Sequence, residues 1–125
     1  MALGPASFTR AARLTRPVEF RRVFANAERL TSRALTVLMT QNDLGRPRLG
    51  LAISRKAAAN AVDRNRIKRI VRESFRSHLG DLGGLDIVVM ARSAAATAPR
   101  HVLRAELEQH WNRLKRRPCA PSSSC

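Results

Sequence analysis

A short basic run in the middle of the chain strongly restricts the structure that can form there. Residues 64–72 contain five cations in nine positions, and aliphatic side chains are interleaved with them at the period of an α-helix. On such a helix, one face carries Ile67, Ile70, Val71 and Phe75. The cations lie on the other face, so the run predicts an amphipathic helix that packs on one side and presents positive charge on the other.

Few acids are available to neutralise this helix. Only Asp63 and Glu73 lie close to the run, so pairing between residues i and i+4 leaves most of the cations uncompensated. The whole chain contains 24 lysines and arginines against nine acids, a formal net charge of +15. A chain that repels itself this strongly favours an anionic partner, and nucleic acid is the first candidate. The alternative is a solvated helix face that binds nothing.

The remaining hydrophobic pattern predicts a mixed α/β fold. Strands are expected at 35–40, 48–54 and 85–91, and further helices are expected to begin near Pro17 and Pro99. The order is α-β-β-α-β-α, with room for another short strand at 28–31. The buried stripe of the last helix is expected to consist of Leu103, Leu107, Trp111 and Leu114.

Local turn and capping signals suggest how these elements are joined. The segment 41–47 is rich in turn formers and favours an antiparallel hairpin between the strands on either side. Asn60 and Asp63 are placed to cap the basic helix, with the acid near the positive end of the helix dipole.

The length is that of one compact domain. We expect a single RNA-binding domain at 14–116, between a flexible N-terminal segment at 1–13 and a flexible tail at 117–125. Cys119 and Cys125 lie in that tail and cannot close a loop around a core, so we expect no disulfide framework and a reducing cytoplasm. No apolar run approaches the roughly 20 residues that span a bilayer, so we expect no transmembrane helix and no membrane partner.

The titratable residues do not show the pattern of a pocket enzyme. No histidine has the spacing of a zinc protease motif, and no glycine-rich phosphate loop precedes a helix. We expect His78 to be packed or half-buried, and His101 and His110 to lie at the surface or edge of the last helix. The sequence predicts no catalytic residue, no metal site and no small-molecule substrate for the protein itself.

Several residues outside the cations could contribute to nucleic-acid binding. Asn65 shares the broad side of the basic helix, where an amide could contact phosphate or a 2′-hydroxyl. Arg55 and Lys56 follow a strand end and could extend the basic surface, or could simply keep a loop soluble. Phe20 and Phe24 suit stacking on single-stranded bases, and core packing is the alternative for both.

Three segments of the chain resemble the bacterial ribonuclease P protein subunit. In the stretch 49–76, Arg-Asn-Arg at 64–66 followed by Ile-Lys-Arg at 67–69 resembles that family's signature helix. The resemblance continues upstream at 14–24 and downstream at 86–92, and it spans roughly residues 14–115.

The resemblance implies an α/β fold, an α+β two-layer sandwich similar to the second domain of a small-subunit ribosomal protein. A left-handed β-α-β crossover would pass through the signature helix, against the usual right-handed rule. The resemblance also implies the non-catalytic protein component of an endoribonuclease that removes the 5′ leader from precursor tRNA. The partners would be the catalytic RNA subunit and precursor tRNA, and the cofactor would be Mg²⁺. The protein would improve substrate affinity and the use of the metal.

The same resemblance assigns residues to two RNA contacts. In the family the signature helix faces the catalytic RNA, which implies a contact by Arg64, Asn65, Arg66, Lys68, Arg69 and Arg72. A cleft between the first helix and the sheet receives the single-stranded leader, which implies a contact by Phe20, Phe24, Arg55, Lys56 and Asn60. The family often has an aromatic residue on the first long strand, where this chain has Leu38.

Two other functions are compatible with the residues alone. A ribosomal or ribosome-assembly RNA-binding protein without a nuclease role would share the charge and the basic helix. A stand-alone metal-dependent nuclease is the second alternative, although the acids of this chain are scattered.

Overall fold

The computed structural model describes residues 13–14, 16–42 and 44–115, except for the side chain of Asn26. The elements are α1 (Pro17–Asn26), β1 (Glu28–Thr31), β2 (Leu35–Gln41), β3 (Arg48–Ala52), α2 (Ala61–Arg76), β4 (Leu85–Ala91), a single-turn 3-10 helix (Ser93–Ala96) and α3 (Arg100–Lys115). The predicted order is confirmed, including the short strand at 28–31.

The segments predicted to be flexible, 1–13 and 117–125, lie outside the described residues, and so do Cys119 and Cys125. Arg13 is the exception, because it is described and forms an isolated parallel bridge with Leu49.

The four strands form one sheet in the order β1-β2-β4-β3. β4 pairs antiparallel with β2 and parallel with β3, so the predicted hairpin between β2 and β3 is wrong. The reason is the burial of β4: residues 85–89 are buried without interruption, and such a strand needs a hydrogen-bonded neighbour on each side. The antiparallel hairpin of the sheet instead joins β1 and β2.

Helices lie on both faces of the sheet. The larger core lies between the sheet and the helices α2 and α3, and it includes the strand residues Val37, Met39, Ile87 and Val89. On the other face, Leu38 and Val88 pack with Val23 of α1. The predicted α/β sandwich is confirmed, and β3, α2 and β4 form the parallel crossover unit that the resemblance implied. The handedness of that unit stays a prediction.

The predicted apolar faces of α2 and α3 meet in the larger core. The buried residues of α2 are Ile67, Ile70, Val71 and Phe75, and those of α3 include Leu103, Leu107, Trp111 and Leu114. The rings of Phe75 and Trp111 form an edge-to-face pair with centroids 5.9 Å apart. Because the apolar face of α2 packs in the core, the cations of α2 point away from the core.

Candidate nucleic-acid interface

The exposed side of α2 carries cations that nothing in the described protein neutralises. This side forms a shallow groove of about 440 Å³, lined by Asn65, Lys68, Arg69, Arg72, Glu73 and Arg76. None of its four cations forms a hydrogen bond or ion pair with another described residue. We call Asn65, Lys68, Arg69, Arg72 and Arg76 the α2 cationic face.

The acid that lines this groove is held by another helix. Glu73 accepts hydrogen bonds from Arg100 at 3.2 Å and from Arg104 at 3.5 Å, and both arginines belong to α3. Two cations therefore already share this carboxylate, so it compensates little of the charge on the α2 cationic face.

On the opposite face of the sheet, α1 leaves part of the surface uncovered. The strand registers place Thr36, Met90 and Ala52 on the same side as Leu38 and Val88, one step further along the strands. Leu38 and Val88 are buried beneath α1, whereas the other three side chains are only partly buried. The uncovered surface is the floor of a cleft that has α1 as one wall, and we call it the α1 cleft.

Two phenylalanines of α1 stand at this wall. Phe20 packs across Gly50 of β3, where an added Cβ atom would lie 2.7 Å from Phe20 Cζ, so a larger residue would displace the ring. Phe20 is partly exposed and Phe24, one turn later, is 47% exposed. Both rings therefore combine partial packing with an accessible surface, which is what stacking on a base requires.

The loop after β3 adds charge near the same face. Arg55 and Lys56 are exposed and form no hydrogen bond or ion pair with other described residues. Ser54 shapes this loop, because its Oγ accepts a hydrogen bond from the backbone N–H of Ala57 at 3.2 Å. Asn60 occupies the predicted N-cap position of α2, but its exposed side chain makes no capping hydrogen bond, so only the position is confirmed.

A small cavity at the β3 edge connects the two surfaces. It encloses about 230 Å³ and is lined by Arg13, Leu14, Phe20, Leu49, Leu51, Lys68 and Arg72. Lys68 and Arg72 also line the groove of the α2 cationic face. The cavity therefore joins Phe20, at the wall of the α1 cleft, to two cations of the α2 cationic face.

A buried ionic network holds α1 against the sheet. Asp86 of β4 is fully buried and accepts hydrogen bonds from Arg48 Nε at 2.9 Å, Arg48 Nη2 at 2.8 Å and Asn42 Nδ2 at 2.7 Å. From α1, Arg22 reaches Asp86 at 3.3 Å and Glu19 binds Arg48 at 2.6 Å. We call Glu19, Arg22, Asn42, Arg48 and Asp86 the ionic network.

The network keeps Asp86 ionised. Burial alone would raise the pKa of this carboxyl, but the hydrogen bonds from Arg48 and Asn42 and the charges of Arg48 and Arg22 lower the pKa overall. The hydrogen bond to Asp86 likewise raises the pKa of Arg48. These charges stabilise one another and fix the position of α1, and with it Phe20 and Phe24.

Comparison with known proteins identifies the family. The model of the Ribonuclease P family matches residues 8–115. The ribonuclease P protein components of Methylococcus capsulatus and Thioalkalivibrio sulfidiphilus are 56% and 49% identical to this chain, and the alignments cover 94% and 90% of it and 91% and 93% of those proteins. This chain belongs to the ribonuclease P protein family. Its partner is therefore RNA, and its family acts in tRNA processing.

Solved structures of ribonuclease P proteins have the same fold. The protein from Staphylococcus aureus gives a TM-score of 0.77 at 30% identity, and the one from Thermotoga maritima gives 0.71 at 32% identity. Each alignment covers 86% of this chain, with 97% of the first protein and 98% of the second.

Two cations of the family's signature helix have structural partners in this chain. Arg64 Nη1 donates to the carbonyl oxygens of Ala58 and Ala59, both at 2.9 Å. Arg66 Nη2 donates to those of Ala95 and Ala96, both at 3.3 Å. A guanidinium has five N–H donors, so each arginine keeps further donors while it holds a loop or the 3-10 helix. The sequence signal did not reveal this second role.

The histidine expectations are only partly correct. His78 is partly buried and His101 is exposed, both as expected. His78 Nε2 also lies 2.9 Å from Glu108 Oε2, a contact that the sequence did not predict. The surface position predicted for His110 is wrong, because its side chain is 2% exposed and its Nε2 lies 2.9 Å from Ser32 Oγ. Burial lowers the pKa of His110, with Glu106 acting in the opposite direction. Ser32 is 78 residues away in sequence, so no local pattern could reveal the contact.

The side chain of Leu38 is buried and offers no surface for base stacking. This residue stands where the family often has an aromatic side chain, but it is 2% exposed and packs with Leu14, Val23 and Val88. Any stacking surface in the α1 cleft therefore comes from α1.

In the part of the chain that the structure describes, no three histidine, cysteine, aspartate or glutamate side chains are placed to hold a metal ion together. Within the same residues, no helix is both long enough and apolar enough to cross a membrane.

Proposed function

We propose that this chain is the protein subunit of a ribonuclease P ribonucleoprotein in the cytoplasm, where it binds the catalytic RNA and the 5′ leader of precursor tRNA. The RNA subunit carries out the cleavage, with Mg²⁺ bound mainly by RNA. The observation that supports this most is the α2 cationic face, which is uncompensated within the described residues and adjoins the α1 cleft through Lys68 and Arg72.

The α2 cationic face suits the phosphate backbone of a folded RNA. Lys68, Arg69 and Arg72 offer donors with no competing acceptor among the described residues, and guanidinium groups bind phosphate oxygens in pairs. Asn65 adds an amide that can contact a phosphate or a 2′-hydroxyl. In this proposal Arg64 and Arg66 use their remaining donors for the same contact.

The α1 cleft suits a single strand. Its wall presents the rings of Phe20 and Phe24, its floor is neutral, and Arg55, Lys56 and Asn60 lie in the loop that follows β3. Sequence-tolerant binding of single strands combines aromatic stacking with cationic backbone contacts, and this surface offers both.

Electrostatics explains how such a protein assists a catalytic RNA. The RNA subunit and its substrate are both polyanions, and a cationic protein between them lowers their repulsion. The leader then adds contacts that mature tRNA lacks, so the protein favours substrate over product without supplying a catalytic group. Because the protein takes over part of the screening, the complex needs less Mg²⁺.

The test is leader cleavage by the cognate RNA subunit at low Mg²⁺, with and without this protein. The protein is expected to restore cleavage under these conditions, and the stimulation is expected to fade as monovalent salt rises. A protein that has no effect on cleavage at any Mg²⁺ or salt concentration would contradict the proposal and would favour a ribosomal or ribosome-assembly role.

The leader contact is tested by Phe20→Ala. Loss of one stacked base costs about 1–3 kcal/mol, so we expect precursor tRNA to bind at least several-fold more weakly while mature tRNA is unaffected. Equal losses for precursor and mature tRNA would contradict the assignment of Phe20 to the leader. Leu44→Ala, at an exposed leucine of the β2–β3 connection, is the matched control and should change neither affinity.

A further inference from the structure

Arg29 lies beyond the α1 cleft on β1, at the opposite edge of the sheet from Lys68 and Arg72 near β3. The register pairs it with Leu38, so its side chain projects on the same face as α1 and the cleft floor. β1 is an edge strand, and the side chain of Arg29 is exposed. It forms no hydrogen bond or ion pair with any other residue that the structure describes.

No described carboxylate is free to neutralise Arg29 on this face. Glu28 precedes Arg29 in β1. Glu28 lies opposite Met39 in the strand register, so its side chain projects on the α2 and α3 side of the sheet. Glu19 and Asp86 project on the α1 side, and both are bound to Arg48. The unpaired charge of Arg29 is therefore directed to solvent, as on the α2 cationic face.

A neutral floor separates Arg29 from the cations near β3. Ala52, Met90 and Thr36 lie on neighbouring strands β3, β4 and β2, and Thr31 of β1 ends the same row. Arg29 lies two residues before Thr31 on β1, opposite the buried Leu38. Three strand spacings of about 4.8 Å each make this path about 14 Å long. A surface with cations at both ends, a neutral middle and aromatic rings along one wall fits an extended single strand.

We infer that the leader crosses the sheet from β3 to β1 and that Arg29 binds a phosphate of its distal part, the nucleotides farthest from the cleavage site. This inference rests on the proposed function, in which α2 faces the catalytic RNA. Since Lys68 and Arg72 of α2 lie at the β3 edge, the leader enters the cleft there and reaches Arg29 last.

The experiment uses the complete ribonucleoprotein and precursor tRNAs whose leaders range from about two to about ten nucleotides, a range comparable with single-strand site sizes. Substrate affinity is measured for the wild-type protein, Arg29→Gln, Phe20→Ala and the control Arg46→Gln. The side chain of Arg46 is also exposed and forms no hydrogen bond or ion pair with a described residue. Arg46 lies in the β2–β3 connection, where its backbone carbonyl accepts a hydrogen bond from Asn42 of the ionic network. Urea unfolding of each variant confirms that the fold is retained.

We expect Arg29→Gln to match the wild type on the shortest leaders and to lose several-fold in affinity once the leader is long enough to reach β1. Arg46→Gln should match the wild type at every length. The inference is overturned if Arg29→Gln has no effect at any length while Phe20→Ala still weakens leader-containing substrates, and the proposed function then stands. It is equally overturned if Arg29→Gln weakens all substrates alike. If the effects of Phe20→Ala and Arg29→Gln are both independent of the leader, the inference about Arg29 fails, and so does the assignment of the α1 cleft to the leader.

Discussion

Two groups of cations in this protein share their side-chain chemistry and differ in their surroundings. In the ionic network, Arg48 directs three donors to Asp86 and Glu19, and its side chain is mostly buried. On the α2 cationic face, Arg69 and Arg72 have no described partner. The difference teaches that the fold places two acids, Glu19 and Asp86, against the cations that hold α1, and leaves the charge of α2 for another molecule.

The largest effect on stability should follow from removing the centre of the ionic network. In Asp86→Asn the charges of Arg48 and Arg22 lose their buried counterion, and breaking a buried pair in this way usually costs about 3–5 kcal/mol. Urea unfolding at neutral pH measures the change. Asp81→Asn is the matched control, because Asp81 is exposed and its pair with Lys115 should contribute at most about 1 kcal/mol. Equal losses for the two variants would break the distinction between the two groups.

Removing a charge from the α2 cationic face should have the opposite pattern. Arg69→Gln should leave the free energy of unfolding within about 0.5 kcal/mol of the wild type, since the side chain is exposed and unpaired. Binding to the catalytic RNA should weaken several-fold, measured by titration at low salt. Arg113→Gln, an exposed cation of α3, should change neither quantity. If Arg69→Gln reduced stability without reducing RNA binding, Arg69 would behave like a member of the ionic network, and the contrast between the two groups of cations would be wrong.

Arg66 should combine both behaviours in one side chain. Its hydrogen bonds to the carbonyl oxygens of Ala95 and Ala96 are partly buried, so Arg66→Ala should lose about 1 kcal/mol of stability as well as RNA affinity. Unfolding and RNA titration on the same preparation separate the two effects. An unchanged unfolding free energy would show that Arg66 does not stabilise the fold and acts only as the cations of the α2 cationic face do.

These contrasts show what the sequence could and could not reveal. The period of apolar residues around Ile67 and Phe75 predicted α2 and its charged face, because helix amphipathicity is a local property. The pairing of β4 between β2 and β3 was missed, because strand order depends on contacts between distant segments. For the same reason the sequence did not distinguish Arg48, whose partner Asp86 is 38 residues away, from the unpaired arginines of α2.

The candidate site shows the same limit. The signature helix and the two phenylalanines of α1 were found from spacing and from the family resemblance. The junction of the two surfaces at Lys68 and Arg72 was not, since it depends on how α2 lies over the β3 edge. The burial of Leu38 beneath α1 was equally invisible, because alternation along β2 suits either face of a sheet.

The smallest expected effect is on the pH dependence of stability. The folded protein lowers the pKa of Asp86 from its ordinary value of 3.8, so the stabilisation is fully present above that value and is lost as pH falls through the lower folded pKa. The difference in unfolding free energy between the wild type and Asp86→Asn should therefore be constant near neutral pH and shrink below about pH 4. A difference that grows on acidification would contradict this sign.

The most direct test of the central claim is the salt dependence of binding between this protein and its catalytic RNA. If the α2 cationic face contacts phosphates, the variant with Lys68, Arg69 and Arg72 all changed to Gln should show a slope of log affinity against log salt that is shallower by about two to three units. Its affinity should approach that of the wild type as salt rises. Parallel lines for the two proteins would show that these cations release no counterions on binding, and the account given for α2 would be wrong.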